Sequence, residues 1–259
     1  MHYKIFSMNL RYPSTEDGEN IWQNRFESVA AFINKEKPLV IGTQELFDFM
    51  YQDILRLTKV YKSFGVPRES GGEGVPILYD ETKLELITGG NFWLSDTPLI
   101  PESKSWDSAC IRMCTWAEFS FKDKRNKRFR LFNTHLDHVS LNAQKKGINV
   151  VLEKIKTLNS HEYLPTFLLG DFNATIKSDT INLINKLVKH PKINIKSMYD
   201  KNLSYGASFH NFTGNDKGEP IDHIYYSIEL DVIASKIYRE KINNRHLSDH
   251  YPIGITINL

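Results

Sequence analysis

An acid and an amide stand two residues apart at the end of an apolar run, Thr166-Phe-Leu-Leu-Gly-Asp-Phe-Asn173. Residues i and i+2 of an extended chain point to the same side, so Asp171 and Asn173 leave the end of a buried strand together. A core strand needs no such ending. Phosphate chemistry does, because a carboxylate ligates a hard cation or holds a water while an amide N–H donates to a phosphoryl oxygen. The same kind of ending recurs at Asn9, Gln44-Glu45, Asn133-Thr-His135-Leu-Asp137-His138, Ile221-Asp222-His223 and Ser248-Asp249-His250. A single Asp, Asn or His after a strand is ordinarily a turn former or a satisfied polar residue. Six in one chain argue for one assembled centre, since sheet proteins cluster site residues at strand ends.

The elements that carry these residues can be read from hydrophobic period. Residues 2 to 10 alternate as a strand ending near Asn9, and Pro38 to Glu45 is a short apolar strand. Between them Asn20 is a plausible N-cap for a helix to about Lys35, its apolar face formed by Trp22, Phe26, Val29, Ala30 and Ile33. A second helix is expected from about Asp48 to Leu57 with Phe49, Ile54 and Leu57 inward. Strands follow near 61–66, 75–79, 83–94, 113–121 and 128–135, the last leading to His135. Ser140 caps a long helix with Leu141, Ile148, Val151, Leu152, Ile155 and Leu158 on its apolar face. After Asn173 come a helix from about 179 to 188 and strands near 193–199, 220–227, 232–239 and 251–258. Strands and helices alternate first and strands dominate later, which favours one domain, 1–259, with sheets packed face to face and helices outside. The Gly-rich stretch Arg68 to Gly74 lacks the Gly-Lys-Ser/Thr of a phosphate-binding loop and no helix follows it, so it is read as a flexible loop. The basic run Lys122–Lys127 is read as a hairpin turn.

Composition excludes several classes. With 259 residues, 41% hydrophobic and 25% charged, the chain is an ordinary globular protein able to bury a large core. A net charge of +2 does not mark a dedicated nucleic-acid binder. No eighteen-residue apolar run is present and the N-terminus enters strand-like sequence at once, so no membrane span and a cytoplasmic location are expected. Cys110 and Cys114 lack a second pair to complete a zinc site and read as packing residues.

Gly-Asp-Phe-Asn, the Asn-x-His strand and the terminal Ser-Asp-His, in this order and with these intervals, resemble the endonuclease/exonuclease/phosphatase superfamily. It includes exonuclease III-like nucleases, pancreatic-type DNases, inositol polyphosphate 5-phosphatases, neutral sphingomyelinases and deadenylases. The resemblance runs from Ser7 to His250, and the segments Trp22 to Arg25, Gly72-Glu73, Phe92 to Ser95 and Arg112 to Trp116 look like a bacterial branch of poorly defined substrate. It implies a four-layer α/β sandwich of two mainly antiparallel or mixed sheets with helices on both outer sides, and a divalent-metal-dependent phosphodiesterase, nuclease or phosphatase. Carried over residue by residue, it makes Glu45 the principal ligand of Mg²⁺ or Mn²⁺, with Asn9 and Asp249 nearby. Asp171 and Asn173 would orient water and phosphate, and His135 would donate to a phosphoryl oxygen or to the leaving group. His250, held by Asp222, would act as general base or phosphate clamp, with Asp171 the other candidate base. Arg112 and Asn133 enter as substrate contacts. The expected partner is a phosphoester, nucleic acid included, met by a monomer; the small net charge favours a small ester. Trp93, Trp106, Phe209, His210 and Phe212 are candidates for stacking on bases or sugars.

Two rivals stand beside this reading. Thr134-His135-Leu-Asp137-His138 is similar to the motif of metallo-β-lactamase-like zinc hydrolases, although Asn133 replaces the first His. A non-catalytic binding protein on the same scaffold would ordinarily have lost Glu45, Asp171 or His250, and all are present.

Overall fold

The computed structural model describes residues 1–124, 126–199 and 203–258. Arg125, within the basic run, and residues 200–202, within the loop before Phe209, lie outside the described residues. The described elements are β1 (His2–Asn9), α1 (Trp22–Glu36), β2 (Val40–Gln44), α2 (Asp48–Thr58), β3 (Tyr61–Phe64), β4 (Ile77–Asp80) and β5 (Leu84–Trp93). They continue with β6 (Met113–Phe121), β7 (Arg128–His135), α3 (Leu141–His161), β8 (Thr166–Asp171) and α4 (Asp179–Leu187). The chain ends in β9 (Ile195–Ser197), β10 (Asp222–Ser227), β11 (Asp231–Ile237) and β12 (Ile253–Asn258).

The strands form two six-stranded sheets, ordered β11-β12-β1-β2-β4-β3 and β5-β6-β7-β8-β10-β9. Both are mixed. The pairs β1/β2 and β7/β8 are parallel and lie at the middle of their sheets, while the other pairings are antiparallel. Alternation sends one side chain of each central strand inward and the next outward. Ile5, Val40, Leu131, Phe167 and Leu169 meet between the sheets. Phe6, Met8 and Ile41 face α1 and α2 through Val29, Phe32, Ile33, Met50 and Ile54. Phe132 and Leu168 face α3 and α4 through Ile148, Val151, Ile155, Ile181 and Ile184. The result is the four-layer sandwich that the family resemblance implied. No helix among the described residues is long and apolar enough to cross a membrane.

Several local expectations are corrected. Asn20 closes a 3-10 turn, and α1 begins after Ile21 with no side-chain cap. Phe49 and Leu57 face solvent, because the buried stripe of α2 follows the i, i+4, i+8 row Met50, Ile54, Thr58. Leu141 is likewise exposed at the first turn of α3, although Ser140 does cap it by accepting from the Ala143 N–H. The Gly-rich loop is held by backbone bonds: Arg68 N–H donates to Glu73 and Gly72 N–H to Glu69 within the loop, and Gly74 N–H donates to Leu46 in an isolated antiparallel bridge. It presents Arg68 and Glu73 to the same cleft as the strand ends.

Candidate active site

The parallel pairs bring their C-terminal ends to one edge of the sandwich. Register sets Asn9 beside Gln44 on β1/β2, His135 beside Asp171 on β7/β8, and Asp171 opposite Asp222 on β8/β10. These ends, with the Ser248–His250 segment before β12, open on a cleft of about 730 Å³.

Gly170 makes the ending of β8 possible. Its φ of +145° is open to glycine, and a Cβ there would lie 1.8 Å from the Thr134 carbonyl oxygen. Asn173 follows in the left-handed region, as does Glu45 just past β2. Non-glycine residues held there are common where structure is shaped for function.

Asp171 sits at the centre of the buried cluster. Its Oδ1 accepts from the Asn173 N–H at 2.8 Å. Its Oδ2 accepts from Asn9 Nδ2 at 3.1 Å and faces His135 Nε2 at 3.5 Å and His250 Nε2 at 3.7 Å. Behind His250, Nδ1 lies 2.9 Å from Asp222 Oδ2, which also accepts from Ser208 Oγ at 2.6 Å. Burial and the neighbouring Asp222 charge raise the Asp171 carboxyl above its ordinary range. Burial alone would lower the His250 imidazole, but Asp222, Asp171 and Asp249 outweigh it and hold the ring well above the usual histidine range. His135 goes the other way: burial, then the charges of Arg112, His250, Arg68 and His138, keep it neutral. Asn173 Nδ2 donates to the Leu136 carbonyl and lies 3.1 Å from His135 Nε2.

Beside this cluster lie two further carboxylates. Glu45 accepts from Asn9 Nδ2 at 3.0 Å and from the Tyr12 N–H at 2.8 Å. Asp249 accepts from Ser248 Oγ and faces Arg11 Nε at 3.7 Å. Burial and the Glu45 charge raise Asp249, against the pull of His250.

Two expected roles change. Asn133 is fully buried and does not reach the cleft. Its Nδ2 donates to the carbonyls of Thr43, Val75 and Pro76, and its Oδ1 accepts from Gln44 Nε2 at 2.7 Å, so it ties the two sheets together. Asp137 is also structural. It accepts from Ser108 Oγ and from the N–H groups of Ala109, Val139 and Ser140, which fixes the loop that delivers Arg112. The zinc-hydrolase alternative, already short of a ligand at Asn133, thereby loses Asp137 as well, and His138 instead lies 3.0 Å from Arg112 Nη2. Arg112 does line the cleft, as do Phe209, Cys110, Arg11, Tyr12, Phe47 and Arg68. Cys114 is a buried packing residue. Of the other aromatic candidates, Trp93 is buried with its indole N–H donating to the Arg68 carbonyl, and neither it, Trp106, His210 nor Phe212 lines the cleft.

A sequence model of the Endonuclease/Exonuclease/phosphatase family matches residues 16–250. The chain belongs to this family. No curated protein matches. Among solved structures, a mannosyl-6-phosphatase of Bacteroides thetaiotaomicron superposes with a TM-score of 0.89 at 29% identity, over 99% of this chain and 100% of that one. A functionally unknown conserved protein from Enterococcus faecalis is 31% identical, with a TM-score of 0.85 over 98% of this chain and 99% of that one. The human nocturnin catalytic domain, at 17% identity and a TM-score of 0.73 over 99% of this chain and 93% of that one, shares the fold.

Members of the endonuclease/exonuclease/phosphatase family generally use divalent metals, and the cleft fits one. Glu45 and Asp249 are two carboxylates lining it, and oxygen-rich anionic sets suit hard cations. Asn9 as placed turns its nitrogen to Glu45 and its oxygen to the Arg11 N–H, so it bridges carboxylates rather than adding an oxygen to that pair. Ligand atoms of Asp171, Asp222 and His250 also lie within 4.8 Å of one another. Their existing bonds to one another, to Ser208, Asn9 and Asn173 link this set into one hydrogen-bonded chain.

Proposed function

We propose that the chain is a divalent-metal-dependent phosphoesterase acting on a small phosphate ester by in-line attack of one water. The observation that carries this reading is Asp171 Oδ2, which meets Asn9, His135 and His250 at one point with Asp222 behind His250. Water bonds to phosphorus as one of its protons passes to Asp171, the ester P–O bond breaks, and the departing alkoxide takes a proton from solvent to leave as alcohol. Asp171 then returns its own proton to solvent and phosphate is released. Asn173 and neutral His135 donate hydrogen bonds to phosphoryl oxygens, and charged His250 steadies the anion. Arg112 supplies a further charged contact. Glu45 and Asp249, with Asn9 beside them, hold Mg²⁺ or Mn²⁺, which neutralises charge building on the phosphoryl oxygens when bound. The name of the Bacteroides relative, a mannosyl-6-phosphatase, favours a phosphomonoester over long nucleic acid. The whole chain, 1–259, then works as one catalytic domain, a reading supported by cleft residues drawn from Arg11 to His250, and is taken to act as a monomer.

Turnover of p-nitrophenyl phosphate and bis-p-nitrophenyl phosphate, with Mg²⁺ or Mn²⁺ and after EDTA, tests the proposal. Turnover is expected to vanish with chelation and return with metal, and Asp171→Asn is expected to lower kcat by about 10³-fold with little change in melting temperature. Metal-independent turnover, or full activity in Asp171→Asn, sinks it.

A further inference from the structure

One wall of the cleft is not needed to move the proton or hold the cation, yet it is built with care. Arg68 Nη1 lies 2.6 Å from Glu73 Oε1, and Arg68 Nε lies 3.1 Å from Glu69. The Arg68 backbone is pinned on both sides, its N–H donating to Glu73 and its carbonyl accepting from the Trp93 indole N–H. Arg112, 6% exposed, lies beside His138 and is steadied by Asp137 at 3.9 Å. Glu73 is 8% exposed. Arg68, Glu73, Arg112 and His135 also border a side cavity of about 10 Å³, room for roughly one oxygen atom. Two of these four residues carry a buried nitrogen without a hydrogen-bond partner, Arg112 Nε and His135 Nδ1.

Buried polar groups are normally paired, and unpaired ones mark strain or a ligand's place. The wall's charges nearly cancel: Glu69 and Glu73 offset Arg68, and Asp137 offsets Arg112. A balanced wall has little to offer a second phosphate. It does offer planar donors beside a carboxylate acceptor, which is what a hydroxyl needs, since each hydroxyl both donates and accepts. Exposed aromatic faces complete the cleft: Phe209 is 43% exposed and packs 5.0 Å from His250, and Tyr12 is 39% exposed. Aromatic faces suit the C–H surface of a sugar ring, which buries apolar area while its hydroxyls face the polar wall.

We propose that Arg68, Glu73, Arg112 and His138 form the leaving-group subsite, and that it selects the phosphomonoester of a sugar or similar polyol by hydrogen-bonding its hydroxyls. This rests on the phosphoesterase reading of the Asp171 centre. The subsite makes Glu73 and Arg68 the specificity-determining residues, with Glu73 accepting from a substrate hydroxyl and Arg68 and Arg112 donating to others.

The test compares kcat/KM for a hexose 6-phosphate with that for p-nitrophenyl phosphate, whose leaving group has no vicinal hydroxyls, in the wild type, Glu73→Gln and Arg68→Met. The hexose-to-nitrophenyl ratio is expected to fall about tenfold or more in both variants, since a site built to bond a hydroxyl discriminates strongly. Melting temperatures establish that the variants are folded. Calorimetry on Asp171→Asn, with and without Glu73→Gln, reads hexose 6-phosphate against inorganic phosphate; the sugar ester's advantage is expected to disappear when Glu73 is changed. An unchanged ratio in both variants, no binding advantage for the sugar ester, or a preference for short oligonucleotides over hexose 6-phosphate overturns the subsite. If no ester is hydrolysed, the phosphoesterase reading fails and the calorimetry still decides the subsite. If p-nitrophenyl phosphate is hydrolysed while the ratio stays fixed, the subsite fails alone.

Discussion

Asn133, His135 and Asp137 follow one another at alternate positions, yet they do three different jobs. His135 faces Asp171 in the cleft, Asn133 ties sheet to sheet, and Asp137 anchors the Arg112 loop. The sequence shows three polar side chains near one strand end, but burial by the opposite sheet is invisible in it. The correction for Asn133 is open to a direct check. Asn133→Leu leaves the Thr43 and Val75 carbonyls and Gln44 short of a partner, and is expected to cost about 2–4 kcal/mol in urea denaturation. The activity of the remaining folded protein should change little. A raised KM with unaltered stability would return Asn133 to the substrate set. Glu73 shows the opposite difficulty: its chemistry is plain in the sequence, but its partner Arg68 and its place in the cleft come from the folding of the loop.

At the scale of elements, strand ends were the most legible feature, because a buried strand that breaks at glycine and continues polar is a strong local pattern. Gly170 carries that pattern physically. Gly170→Ala pushes a Cβ to 1.8 Å from the Thr134 carbonyl oxygen at a φ of +145°, and is expected to cost more than about 4 kcal/mol or to prevent folding. Gly71, at φ +70° with nothing within 4 Å of a built Cβ, provides the contrast: Gly71→Ala is expected to cost only about 1 kcal/mol, from backbone strain. Equal melting temperatures for the two variants would contradict the close-approach argument. Helix faces were less legible. Phe49, Leu57 and Leu141 sit near helical ends where an apolar side chain at the right spacing finds no opposing layer, and the sequence holds no record of where the neighbouring sheet stops. The Gly-rich loop misled in the same way, since its glycines supply turns and close approaches rather than looseness.

At the scale of the whole molecule, the second sheet also buries a titratable group that does not line the cleft. His223, on β10, has its Nε2 2.7 Å from the Ala174 carbonyl and stacks on Phe172. Burial is the largest influence on it, and the ring is pushed down from 6.5 to about 4. The unfolded chain therefore binds a proton between these values that the folded chain refuses. The stability this neutral ring contributes is complete above 6.5, falls as pH drops toward 4, and is level below, with a slope of at most about 1.4 kcal/mol per pH unit. His223→Phe is expected to lack that component, so urea denaturation across this window should show wild type and variant converging as pH falls. A constant gap between them would place the acid sensitivity elsewhere.

The sequence by itself determined the family, the layered architecture and the residue types of the centre, because strand periodicity and the polar endings are local and survive without a partner. Only the tertiary structure decided which endings meet. The parallel pairs β1/β2 and β7/β8 bring Asn9, Glu45, His135 and Asp171 together from chain positions far apart, while the facing sheet claims Asn133 for packing. It also decided that Arg68 and Glu73 line the cleft. Their positions depend on turns and backbone bonds to distant strands, and such long-range contacts leave no period in the chain.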